Sequence, residues 1–135
     1  MNAQSNLQLA QQFLEKLGAN ASPEEMAALC LPDLAWHIPG DTSAQPWIGA
    51  KRGHQALTDF LRDTALRLTR EAFDVEDVLS SDRRAVIVGH LQSRVNVTGK
   101  RIDSHFAIVL TFSGDKIASL LVLEDSFAVS AASHP

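Results

Sequence analysis

Tyrosine is absent from the 135 residues, and cysteine occurs once, at Cys30. A lone cysteine excludes an intramolecular disulfide and any zinc site built on several thiolates, and it suits a reducing cytoplasm. The missing phenol removes one familiar donor for stabilising an oxyanion. Long apolar runs are also missing: the longest, Ile117 to Leu123, is interrupted by Ser119 and falls far short of the ~20 residues a membrane helix needs. No basic segment precedes an apolar stretch in Met1-Asn2-Ala3-Gln4-Ser5, so no signal peptide is expected. A dense basic face is lacking as well. Twelve Lys and Arg stand against sixteen Asp and Glu for a net charge of −4, which disfavours nucleic acid as a partner.

What is present is the composition of one soluble domain, residues 1–135, with 45% hydrophobic and 21% charged residues. A chain of this size buries roughly two-thirds of its unfolded surface, so its core needs neither disulfide nor structural metal and is free to be hollow. Leu7, Ala10, Phe13, Leu14 and Leu17 recur at helical spacing, with Ser5 as N-cap and Gly18 at the C-terminal turn. Ser22-Pro23-Glu24-Glu25 has the spacing of a capping box and starts a second helix through Met26, Leu29 and Cys30, which Pro32 ends. Leu34 to Ile38 reads as a short strand, and Asp41 to Arg52 as a turn-rich loop. A third helix starts near Gly53 and carries Leu57, Phe60, Leu61 and Leu68. Strands then follow from Phe73, over Ala85 to Val97, Ile102 to Phe112 and Ile117 to Leu123, separated by turns at Thr98-Gly99-Lys100 and Ser113-Gly114-Asp115. Tight turns between successive strands mean antiparallel pairing, and helices followed by such a run predict an α+β domain. A twisted sheet with long strands under three helices packs naturally as a cone with an apolar mouth.

Trp36-His37-Ile38-Pro39-Gly40, Pro46-Trp47-Ile48-Gly49, the start at Gly53 with Leu57 and Phe60, and the stretch from Asp115-Lys116-Ile117 to Glu124-Asp125 are short and degenerate one by one. In this order and spacing they resemble the nuclear transport factor two-like superfamily, in its SnoaL-like and ketosteroid isomerase-like branch. The resemblance covers nearly the whole chain. It implies a conical barrel of a curved, mostly antiparallel sheet packed against three helices of the N-terminal half, an enclosed apolar pocket, and a homodimer formed through the sheet. It does not imply one reaction, since the branch holds isomerases, polyketide cyclases, epoxide hydrolases, dehydratases and non-catalytic binders.

Residue by residue, the resemblance places His37, three residues before Gly40, where the isomerases carry their general-base Asp. A neutral imidazole still accepts protons near neutral pH. The isomerases' oxyanion pair has no counterpart, because there is no Tyr and the second Asp falls near Ala107; the epoxide hydrolases' Tyr is missing too. The cyclases' acidic residue at the end of the last strand corresponds to Asp125, a carboxylate whose pKa an apolar pocket would raise.

Each assignment has a plainer rival. His37 could be a half-buried histidine on a backbone carbonyl, and Asp125 the N-cap of a terminal helix through Ser126-Phe127-Ala128-Val129. Glu124 reads as a solvent residue. His105 lies opposite Phe106, Ile108, Leu110 and Phe112, and whether it faces solvent, a partner or, through a bulge, the cavity stays open, as it does for His90 and Arg94. The candidates for acid–base chemistry are therefore His37, Asp125 and His105. Phe13, Phe60 and Trp36 are the candidate apolar walls and Trp47 the candidate lid. The five histidines show no metal-ligand spacing, and no organic cofactor is expected. The function expected is binding of a small apolar molecule, with proton-transfer chemistry as one reading, a non-catalytic binding module as a second and an interaction domain as a third.

Overall fold

The computed structural model describes residues 2–43, 45 and 48–134. Helix α1 (Ala3–Gly18) starts earlier than Ser5 predicts. Asn2 is the N-cap: its side chain accepts from the Ser5 N–H, and the Ser5 hydroxyl accepts from the Asn2 N–H, so two otherwise orphaned donors are satisfied reciprocally. Its far end turns not at Gly18 but at Asn20, whose φ of 55° is left-handed. Helix α2 (Pro23–Ala27) begins as the sequence predicts, with Ser22 Oγ accepting from the Glu25 N–H and Pro23 in the first turn.

That helix is shorter than its apolar spacing suggests, because strand β1 (Cys30–Ile38) already starts at Cys30. Pro32 lies inside this strand and ends no helix. It falls between the pairing of Cys30 with Ile117 and that of Ala35 with Ser119, where its missing N–H costs no ladder bond. Strand β2 (Gly49–Arg52) pairs back on β1, and Gly53 caps helix α3 (His54–Arg67). Strand β3 (Leu68–Ser80) leaves that helix directly: Leu68 is extended and pairs with Val95, so it belongs to the sheet and not to the helical set. Strands β4 (Arg84–Val95), β5 (Arg101–Ser113) and β6 (Lys116–Glu124) follow, and helix α4 (Ser126–Ser133) closes the chain.

The six strands form one sheet in the order β2-β1-β6-β5-β4-β3. Every neighbouring pair is antiparallel except β1 and β6. The sheet is mixed and curved but unclosed, an α+β architecture in which a fourth helix joins the three expected. Period-two alternation gives the sheet two chemically different sides. Leu34, Trp36 and Ile38 of β1, Ala85 and Ile87 of β4, and Phe106, Ile108 and Leu110 of β5 all point to the concave side and are buried. Helix α1 packs over β3 and β4, α3 over β1, and α4 over β5. Buried Asn6 ties α1 to the β3–β4 hairpin by donating from Nδ2 to the Ser81 carbonyl at 2.9 Å.

One irregularity sets the site. Thr111 pairs with Ser119 but Phe112 pairs with Ile117, so Ala118 is an extra residue in β6. Beyond this bulge the inward positions become Leu120, Val122 and Glu124.

Candidate functional site

The concave side does not fill. Between the sheet and its helices lies a cavity of about 820 Å³, lined mainly by apolar side chains. Phe13 of α1, Phe60 of α3 and Trp36 of β1 all line it, where the sequence places candidate walls. Trp36 and Phe60 meet with ring centroids 5.0 Å apart, tilted by 53°, a favourable aromatic geometry. Opposite them, Phe73 of β3 and Phe106 of β5 stack at 4.9 Å with planes 20° apart. This stack depends on Gly89 between them: a Cβ there would stand 2.6 Å from Phe106 Cζ and 2.2 Å from the Asp74 carbonyl oxygen. The candidate lid, Trp47, lies outside the described residues.

The polar candidates are redistributed. His37 is exposed, because Trp36 and Ile38 on either side of it point inward and β1 alternates strictly there. Its expected place in the pocket is thus corrected: the ring stands on the convex side, in register with Leu121. His105 is also on the convex side, with its side chain 84% exposed. There it contacts His90 edge-on at 4.9 Å and has Nδ1 3.8 Å from Glu76 Oε1. His90 in turn lies 2.5 Å from Asp103, whose other oxygen accepts from Gln92 at 2.8 Å. These contacts, the Gln92 bond foremost, hold the Asp103 carboxyl below its ordinary range. Arg94 is tied to Glu71 and to the Gly99 carbonyl. None of these residues reaches the cavity.

Asp125 takes its plainer role. It is exposed, and its carboxylate caps α4 by accepting from the Ala128 N–H at 3.0 Å. Its own N–H donates to the hydroxyl of buried Ser104 at 2.9 Å, which fixes the junction between β6 and α4.

The residue that enters the cavity is its neighbour, Glu124. It ends β6 opposite Phe106, half-buried, with no hydrogen bond or ion pair to its carboxylate among the described residues. Burial without a compensating partner pushes its pKa up. No local sequence signal marks it. Counting by twos from Ile117 puts Asp125 inside, and one extra residue at Ala118 moves the inward position to Glu124. Among the described residues no group of three His, Cys, Asp or Glu side chains could hold a metal ion. Among the described residues no helix is long and apolar enough to cross a membrane.

Similar proteins agree with this architecture. A nuclear transport factor two-like protein from Burkholderia xenovorans LB400 superposes with a TM-score of 0.87 over 99% of both chains at 24% identity. A Mesorhizobium loti protein described as a SnoaL-like polyketide cyclase gives 0.71 over 86% of this chain and 96% of that one at 16% identity. A Catenulispora acidiphila protein with a ketosteroid isomerase-like fold, in complex with trimethylamine, gives 0.66 over 83% and 82% at 14% identity. No curated protein matches the sequence. The family model of the SnoaL-like domain matches residues 10–120. With that match, the chain belongs to the SnoaL-like domain family, and its architecture is the nuclear transport factor two-like fold.

Proposed function

We propose that the chain binds a small, largely apolar molecule in its cavity and moves a proton on it with Glu124. The observation that carries this reading is a carboxyl with no partner among the described residues, its pKa raised by burial, in the lining of an apolar space large enough for a metabolite. A carboxylate with a raised pKa is a stronger base than one in water, and its protonated form still donates readily. It would take the proton from a carbon next to a carbonyl, the C–H electron pair moving into the enolate. The carboxyl would then return that proton to a second carbon or to the oxygen. Isomerase, cyclase and lyase chemistry all contain this pair of steps.

The fold relatives support small-molecule binding only in outline, the Catenulispora protein being one that holds an amine. A second reading, a binding module without catalysis, is favoured by the absence of a second carboxylate among the described cavity-lining residues. Wash-in of deuterium separates the two. A panel of small cyclic ketones is incubated with the protein in D2O, and exchange at the carbon next to the carbonyl is followed by NMR. Catalysed exchange that falls at least ~100-fold in Glu124→Gln supports proton transfer. Ketones that bind without exchanging would leave the binding module.

We also propose that the chain forms a homodimer through the convex side of the sheet. Leu79, Val86, Val109 and Leu121 stand in one cross-strand row there, with His37 next in register, and leave an apolar stripe uncovered in the single chain. Sedimentation of wild type against Leu121→Asp tests it: a dimer that becomes a folded monomer supports the proposal, and a wild-type monomer overturns it. The lone cysteine supports placement in the cytoplasm.

A further inference from the structure

The cavity's ionisable lining is unlike the chain as a whole. The sequence carries more acids than bases, yet the ionisable groups among the cavity-lining residues are two arginines, Arg62 and Arg70, and Glu124. Arg62 is already committed, forming an ion pair with Glu24 of α2. Arg70 has no carboxylate partner among the described residues. Both arginines are exposed, as is Leu66, so these lining residues mark where the cavity opens to water.

Arg70 is also aimed. A bulge in β3 between Arg70 and Ala72 turns it toward the concave side, and its guanidinium carbon lies 5.4 Å from the centroid of the Phe73 ring. Phe73 stacks on Phe106, and Phe106 is the direct cross-strand neighbour of Glu124. A cation at the mouth and a carboxyl further in therefore stand at the two ends of a floor made of two nearly parallel phenyl rings.

We propose that the ligand of this cavity is an apolar acid, whose flat body lies on the Phe73–Phe106 floor and whose anionic group meets Arg70 at the mouth. This rests on the reading of the cavity as a small-molecule site and adds the class and orientation of what it takes. An anion placed at the inner end would face Glu124 and lose its own hydration; at the mouth it keeps water on one side and gains charge-assisted hydrogen bonds from a guanidinium that no described residue neutralises. The end of the molecule beside Glu124 is then uncharged, which is the arrangement a proton transfer there requires.

Two fluorescent probes with one skeleton test the proposal: N-phenyl-1-naphthylamine, which is neutral, and 8-anilinonaphthalene-1-sulfonate, which adds an anionic group. Both are titrated into wild type, Arg70→Gln and Arg83→Gln; the last removes the same charge from the exposed β3–β4 turn, away from the cavity. The expected result is that wild type and Arg83→Gln prefer the sulfonate by about fivefold at low salt. Arg70→Gln loses that preference while its affinity for the neutral probe stays the same, and about 0.5 M salt weakens the preference in wild type. Equal affinity for the two probes in wild type, or a preference that survives in Arg70→Gln, overturns the proposal and leaves the cavity as a neutral binding site. A loss of both probes alike in Arg70→Gln overturns it too, since Arg70 would then be supporting Phe73. If neither probe binds wild type, the small-molecule reading itself fails, and the acid with it.

Discussion

The two sides of the sheet are made by the same strands and have opposite chemistry. On β5, Phe106, Ile108 and Leu110 face inward and are nearly inaccessible, while His105, Ala107 and Val109 between them face out. The concave side is apolar, covered by helices and hollow, and among the described residues it holds one carboxyl without a partner. The convex side collects His37, His90, Asp103 and His105, hydrogen-bonded or exposed, beside an apolar row. Groups with familiar catalytic chemistry therefore cluster where there is no enclosed space, and the enclosed space uses a residue type that is common on surfaces. Chemical identity alone is a poor guide to the site of a hollow fold; the direction of the side chain decides.

The contrast can be broken most severely at its core. Leu110→Ala should cost about 3 kcal/mol in urea denaturation, because the site is fully buried and cannot collapse completely, whereas Val109→Ala one residue away should cost under about 1 kcal/mol in the single chain. Gly89→Ala should cost about 1–3 kcal/mol by pushing back the Asp74 carbonyl of β3 and the Phe106 ring, and should weaken binding of a flat probe by changing the floor of the cavity. Glu124→Gln should raise the melting temperature by a few degrees near neutral pH. The sign follows from its raised pKa: the folded state favours the protonated carboxyl, so the native contribution is fully present below the ordinary carboxylate range and is lost as pH rises through the folded value. The advantage of Gln should accordingly vanish in acid, which melting curves across pH would show. His37→Ala, the smallest change, should alter stability by no more than about 0.5 kcal/mol and leave probe binding unchanged; a marked loss of binding would move the site to the other side of the sheet.

Much of the architecture was legible because it rests on local patterns. The helix starts at Ser22 and Gly53, the turn at Gly114 and the antiparallel run from β3 to β6 all follow from spacing and turn chemistry. So do Phe13 and Phe60 as inward residues, since the amphipathic face of a helix is a property of the chain itself. The boundaries that moved did so for non-local reasons. Leu68 fits the helical apolar set, yet pairing with Val95 makes it a strand residue. Pro32 reads as a stop signal, yet it lies in a stretch of β1 where no partner needs its N–H.

At the site the same division holds. The alternation around Trp36 already pointed His37 away from its neighbours, but which of the two sets faces inward depends on where the helices pack. Asp125 followed by a short apolar helix reads equally as a cap, and in the fold it is one. Glu124 was hidden by one bulged residue, because an insertion at Ala118 reverses the parity of everything after it while leaving the composition of the strand unchanged.

The sequence by itself determined the family, the α+β class and the two-sided pattern of the strands, because propensity, turns and periodicity act over a few residues at a time. Only the tertiary structure decided which side became the hollow, that Glu124 and not His37 or Asp125 faces it, and that Arg70 stands over Phe73 at its mouth. These depend on strand register, bulges and helix packing, which join residues far apart in the chain and leave no mark on the local pattern.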